Sequence, residues 1–132
     1  KKIIMGRSLG SASASEIISK HEEKLDACII ESGFGTEIPL MRILDLEQSD
    51  VNYNPEHGFE NLRKITNYRG PLFIIHAEID DIIPLDEAIR MHSDSLSKNK
   101  DLWIIKNANH NNILMQAQQT YFKKIKMFID SI

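Results

Sequence analysis

The stretch that decides the reading is Lys2-Ile3-Ile4-Met5-Gly6-Arg7-Ser8-Leu9-Gly10-Ser11-Ala12-Ser13-Ala14. Lys2 to Met5 is a short apolar run of the kind that forms a buried strand, and the small residues after Gly10 suit a helix. Between them, Gly6-Arg7-Ser8-Leu9-Gly10 fits the pattern G-x-S-x-G. A strand that turns straight into a helix makes so tight a corner that the central serine takes a strained backbone conformation and its flanks must be small. The Ser8 hydroxyl would then project at the carboxyl end of a sheet. Gly10, Ala12 and Ala14 would let the helix cross the strands closely. An ordinary glycine turn would use the same residues, so the choice depends on the rest of the chain.

Outward from this corner the same alternation recurs. Leu25 to Ile30, Leu72 to His76 and Leu102 to Lys106 are short and rich in Ile, and helical sequence separates them. That is the signature of βαβ units and predicts an α/β fold: a parallel sheet with flanking helices. After Pro84, Leu85, Ala88, Ile89, His92 and Leu96 fall on one stripe, with Asp86 and Glu87 in the first turn where the helix dipole favours acid. A last helix is predicted from Asn112 to Asp130, placing Leu114, Ala117, Tyr121, Ile125 and Phe128 together. A shorter one near Pro55 to Thr66 carries Phe59, Leu62 and Ile65, and Ile38, Leu40, Met41, Ile43 and Leu44 suggest another. Glu47 to Asn54 reads as a polar loop.

No linker or repeat divides the 132 residues, so one domain is expected. Right-handed crossovers between consecutive neighbouring strands put their helices on one face only. The other face and the open edge of the first strand then need a cover. That deficit, and a chain that opens without Met inside a strand, predict the latter part of a longer protein, a partner chain or self-association.

Sixteen basic against 19 acidic residues leave a net charge of −3, which offers no footprint for a phosphate backbone. No run approaches the roughly 18 apolar residues of a membrane span. Nucleic acid and bilayer are therefore excluded as expected partners. The single cysteine, Cys28, cannot form an internal disulfide, and no Asn-x-Ser/Thr site or targeting segment is seen, so a reducing, cytoplasmic setting is expected.

A serine hydroxyl is a poor nucleophile until a base takes its proton, and the base needs an acid to hold its tautomer. The third predicted strand runs into His76-Ala77-Glu78-Ile79-Asp80-Asp81-Ile82-Ile83-Pro84, and the fourth is followed by Asn107-Ala108-Asn109-His110-Asn111. Asp80 and Asp81 could instead cap the helix near Pro84, and His110 could be a polar turn residue. His76 reads as a structural histidine and His21, His57 and His92 as surface or packing residues. Glu31 and Glu78 read as structural. Arg7 could attract an anionic group or pair with a protein carboxylate. His21-Glu22-Glu23-Lys24-Leu25 lacks the second histidine of H-E-x-x-H, and no phosphate-cradling glycine loop occurs, so neither metal nor cofactor is expected.

These residues resemble the α/β-hydrolase superfamily, in which a strand ending in His-Gly-x-x-Asp-x-x-Val-Pro supplies the acid and a Gly-His-Asn loop the base. Gly6 to Ala14, Glu31-Ser32-Gly33-Phe34, Ile74 to Pro84 and His110-Asn111 look like the branch related to serine aminopeptidases and acylglycerol lipases. The resemblance implies residues 1–132 as the C-terminal portion of a single α/β-hydrolase domain, truncated at its N-terminal side. It implies Ser8 as nucleophile, Asp80 as acid, His110 as base and the Leu9 N–H as one oxyanion-hole donor. It also implies an acyl substrate and a lid insertion near Phe34 to Leu46 forming part of the pocket. Ala77 and Asn109 stand where the family has Gly, the latter a residue that tolerates positive φ. The family's first strands and its other oxyanion-hole loop are missing from the sequence. Two rivals follow: a non-catalytic half-domain serving as scaffold or assembly module, and a flavodoxin-like domain binding an anion at Gly6–Gly10 with no need of His110.

Overall fold

A computed structural model describes residues 1–47, 54 and 58–132. In chain order the elements are β1 (Ile3–Arg7), α1 (Gly10–His21), β2 (Ala27–Glu31), α2 (Ile38–Ile43), α3 (Asn61–Asn67), β3 (Leu72–Ala77), α4 (Leu85–Asp94), β4 (Lys100–Ile105), α5 (Ile113–Ala117) and α6 (Gln119–Ser131). The strands form one parallel sheet in the order β1-β2-β3-β4. Register sets the strand ends: Ile3 pairs with Ala27, Cys28 with Leu72, and Leu72 with Lys100. Hence β1 runs two residues beyond the predicted Met5, and β4 starts two before the predicted Leu102. Both shifts follow from backbone pairing, which hydropathy does not encode.

Side chains of successive residues alternate between the faces of the sheet. On one face, Cys28, Ile30, Leu72 and Ile74 pack under Ala14 and Ile18 of α1, Ile65 of α3, and Ala88 and Met91 of α4. These are the helices of the consecutive crossovers, on one side as expected. On the other face, Ala27, Ile29, Phe73, Ile75 and Ile105 pack under Ile113, Ala117, Tyr121 and Phe128. The expected cover from outside is thus partly supplied by the chain's own C-terminal helices. Their reach ends at β1, where Met5 is 42% exposed at the sheet's edge. Cys28 is fully buried, and desolvation pushes its thiol up to about 12.

Three predicted elements are corrected. The final helix breaks at Gln118, whose backbone has φ 48°, so α5 and α6 are separate; Ile113 is buried while Leu114 is exposed. The apolar spacing continues through the break, so periodicity alone could not reveal it. On α4 the buried stripe is Ala88 and Met91, with Ile89 exposed and Leu96 beyond the helix end at Ser95, which is extended. Of the helix predicted near Pro55 to Thr66, residues 58–60 are not helical and α3 begins at Asn61, with Glu60 before it in the left-handed region at φ 51°. Residues 55–57, and with them His57, lie outside the described residues, as do 48–53 of the predicted polar loop.

The corner after β1 rests on one close approach. A Cβ on Gly6 would meet the Gly10 carbonyl oxygen at 2.5 Å and the Ala14 Cβ at 2.7 Å. At Gly10 a Cβ would meet nothing within 4 Å. Gly6, not Gly10, is therefore what lets α1 lie against the sheet, which corrects the role expected for Gly10. Since the obstacle at Gly6 is backbone, Gly6→Ala should lower stability by about 3 kcal/mol, the upper part of the range for overpacking. Gly10→Ala should be neutral or raise stability by up to about 1 kcal/mol. Urea midpoints of the two variants check this.

Candidate active site

Ser8 follows the last residue of β1 with φ 51°, a left-handed conformation that costs an L-residue about 1–2 kcal/mol. Two backbone bonds hold it there: the Ser8 N–H donates to the Glu31 carbonyl at 2.9 Å, and the Ser11 N–H donates to the Ser8 carbonyl at 2.9 Å. The side chain is thereby lifted off the end of the sheet. Leu9 follows as the residue preceding α1, so its N–H lies where helix amides lack intrahelical acceptors and the dipole is positive.

Asp80 lies in the turn between β3 and α4. Its Oδ1 accepts the N–H groups of Ile82 at 3.0 Å and Ile83 at 2.8 Å, so the carboxylate is locked by its own loop. The side chain is fully buried. Asp81 is exposed and the N-cap of α4 is Pro84, so neither aspartate caps that helix.

His110 hangs from the loop after β4, 3% exposed. Asn107 takes φ 58° at its start, with its N–H on Glu78 Oε2 at 2.9 Å. Asn109 is not left-handed, so its tolerance of positive φ is not called upon. Its side-chain oxygen instead accepts the N–H groups of Asn111 at 3.0 Å and Asn112 at 3.1 Å, tying the loop.

The three side chains meet in a line. His110 Nδ1 lies 2.9 and 2.8 Å from the two Asp80 oxygens, and Nε2 lies 3.0 Å from Ser8 Oγ. A carboxylate only accepts, so Nδ1 carries the hydrogen and Nε2 is left as an acceptor facing the Ser8 hydroxyl. Separations of 102 and 30 residues along the chain close to single hydrogen bonds.

His76 and Arg7 lie beside this line. His76, at the end of β3 and fully buried, has Nε2 2.9 Å from the Ile83 carbonyl and 3.6 Å from Asp80 Oδ2. The carbonyl can only accept, so His76 donates from Nε2, and its Nδ1 has no partner among the described residues. Burial holds this imidazole's pKa below the usual value of 6.5, against smaller opposing pulls from the Ile83 carbonyl and Asp80. Arg7 pairs with a protein carboxylate: its Nε donates to Glu31 Oε1 at 2.9 Å and its Nη2 to the His110 carbonyl at 2.6 Å. Tyr121 donates its hydroxyl to the other Glu31 oxygen. Of the two roles the sequence left open for Arg7, the carboxylate pair is the one formed, with Glu31 structural as expected; Tyr121 and the bond to the His110 carbonyl were not foreseen, the sequence-level trace being a charge at the end of each of two otherwise apolar strands.

Phe34, expected in the pocket wall, is fully buried against Ala12 and Ile83 and edge-to-face with Phe59, so it is core. Its loop is tied down by Glu87, which accepts the N–H groups of Gly35 at 2.7 Å and Thr36 at 3.0 Å, and by Asn61, which donates to the Phe34 carbonyl at 3.0 Å. Ile43 and Leu44, at the end of α2, are exposed. Among the described residues no cluster of three or more His, Cys, Asp or Glu side chains is placed to hold a metal ion, and no helix is long and apolar enough to cross a membrane.

Parallel strands, crossover helices and a serine corner at the sheet's carboxyl end define the α/β-hydrolase fold, and solved structures agree. A monoacylglycerol lipase from Paleococcus ferrophilus matches with TM-score 0.73 and 13% identity, over 98% of this chain and 69% of its own. An esterase from Pyrococcus furiosus matches with TM-score 0.78 and 16% identity, over 98% and 52%. A meta-cleavage product hydrolase from Pseudomonas fluorescens matches with TM-score 0.71 and 14% identity, over 99% and 65%. The chain thus spans about half to two-thirds of the length of these structures. It belongs to the prolyl oligopeptidase family, whose pattern it matches over residues 1–132.

Because His76 is held neutral in the fold, the unfolded chain binds more protons than the native one between its depressed folded pKa and 6.5. Stability should therefore fall as pH drops below about 6.5 and level off once the folded imidazole is itself protonated. His76→Gln keeps a donor near Nε2 and cannot titrate. The gap between urea midpoints of wild type and His76→Gln should shift toward the variant from pH 7 to pH 5; a constant gap would show that His76 does not drive the change.

Proposed function

We propose that this chain carries the reacting serine, histidine and aspartate of a hydrolase that cleaves an ester, thioester or amide through an acyl-serine intermediate. The observation supporting this most directly is the Ser8–His110–Asp80 hydrogen-bonded line. In this reading Ser8 Oγ attacks the substrate carbonyl carbon while its proton passes to His110 Nε2. Asp80 keeps the hydrogen on Nδ1 and stabilises the imidazolium. The Leu9 N–H donates to the oxyanion, and His110 returns the proton to the leaving group as the tetrahedral intermediate collapses. Water then adds to the acyl-serine with His110 again as base, releasing the acid and restoring Ser8.

Residues 1–132 form the C-terminal portion of one α/β-hydrolase domain in this proposal, and a second oxyanion donor comes from another segment. Losing one such donor costs about 10²–10³ in rate, so these residues alone would be feeble. The partner is a small acyl substrate, and one buried thiol suits a reducing cytoplasm. The rival reading is a non-catalytic half-domain serving as scaffold or assembly module.

A fluorophosphonate probe applied to the full-length protein separates the two. Labelling that disappears in Ser8→Ala, with turnover lower by about 10⁶, is expected of the enzyme; wild type that takes no label would leave the scaffold reading standing. Asp80→Asn should lower kcat by roughly 10⁴ through the wrong tautomer, while Asp81→Asn stays within about threefold. Equal losses in steady-state assays would undo the assignment of Asp80.

A further inference from the structure

We propose that Arg7, held by Glu31 and Tyr121, is a positioning residue that sets the height of His110 over Ser8; this rests on the triad reading above. Arg7 is the covalent neighbour of Ser8, and its Nη2 grips the backbone carbonyl of His110 at 2.6 Å. The strand that presents the hydroxyl and the loop that presents the imidazole are thus joined by a second link, independent of the Ser8–His110 hydrogen bond. Nothing in the acyl-transfer scheme needs Glu31, yet its carboxylate is 4% exposed at the end of a strand whose five residues are all buried. A buried carboxylate persists only when paired and hydrogen-bonded. Here Arg7 Nε supplies the charge at 2.9 Å and the Tyr121 hydroxyl the remaining donor. Burial and the adjacent Glu31 both raise the Tyr121 pKa, so the phenol keeps its hydrogen and stays a donor.

The arrangement fixes the guanidinium from behind. Register places Arg7 directly beside Glu31, so a bidentate fork can hold the carboxylate with one nitrogen and the carbonyl with another. Tyr121 brings α6 into the same cluster, and with it the face of the sheet that the C-terminal helices cover. The charged and titratable groups around His110 are then Asp80 after β3, His76 on β3, Arg7 on β1, Glu31 on β2 and Tyr121 on α6. When His110 takes the proton, the negative charge of Glu31 offsets the positive charge of Arg7 nearby.

The test compares Arg7→Met, Arg7→Lys, Glu31→Gln and the Arg7→Met/Glu31→Gln double variant of the full-length protein, with kcat and KM for p-nitrophenyl butyrate measured across pH. Arg7→Met should lower kcat about 10- to 100-fold with KM within about threefold, the effect of a small misplacement of a reacting group. Arg7→Lys should recover part of it. Glu31→Gln keeps the shape and removes one negative charge, so the acid limb of the profile should move to lower pH; in Arg7→Met it should move to higher pH. A purely structural role moves neither limb in a charge-dependent direction. The double variant buries no orphaned charge, so it keeps the test readable if Arg7→Met fails to fold, and its loss in kcat should persist. Wild-type kcat in Arg7→Met or in the double variant would overturn the proposal, as would a rise in KM alone, which would make Arg7 a substrate contact. Ser8→Ala in the same assay reads the triad separately: activity surviving there sinks the acyl-serine reading, whereas its loss beside an unaffected Arg7→Met sinks only the positioning role.

Discussion

The contact on which the rest depends is the approach of Gly6 to the backbone of α1. With no side chain between them, the helix starts just beyond the strand; of the two residues that join them, Leu9 is already helical, so one is left to absorb the reversal. That residue is Ser8, and its φ of 51° is the geometric consequence. Strain of this kind persists where surroundings over-determine it, here through the Glu31 carbonyl on one side and the Ser11 amide on the other. A looser corner would let the serine relax and lose its projection above the sheet.

Parallel strands in chain order place every strand-to-helix turn at the same end of the sheet. This is why residues 8, 80 and 110 share one rim although they are far apart in sequence: each follows a different strand and needs only a short loop to reach its neighbours. The loops are held by hydrogen bonds between backbone amides and aspartate, asparagine or glutamate side chains, and by the packing of Ile83 and Ala108 into the core. Asp80 satisfies two amides of its own turn, Glu78 secures Asn107, and Asn109 ties the residues after His110. An imidazole on such a loop can be held to within a hydrogen bond while remaining near the surface of the fold.

Burial at this rim is selective. His76 is kept neutral by desolvation, so it adds no charge beneath the line. The Asp80 and Glu31 side chains are buried too, and each is surrounded by donors: backbone amides and His110 for the first, Arg7 and Tyr121 for the second. The two carboxylates thus flank the histidine from different strands, one through its ring and the other through its backbone by way of Arg7.

Much of this was legible in the residues themselves. Short Ile-rich runs separated by helical periods are sufficient for a parallel sheet, because a strand buried on both faces must be apolar throughout. A serine between glycines after such a run, and an aspartate and a histidine after later ones, specify which loops to compare. Beyond the reach of sequence were the quantities that depend on two segments at once. Strand ends moved because pairing sets them; the last helix broke at Gln118 while its apolar spacing ran on unbroken; Gly10 proved open and Gly6 closed. The Arg7–Glu31–Tyr121 cluster and its grip on the His110 carbonyl join four separate elements. Local pattern determined which elements form and in what order; only the folded chain decided which side chains touch, because contacts between distant segments depend on register and crossing distance, which no single segment contains.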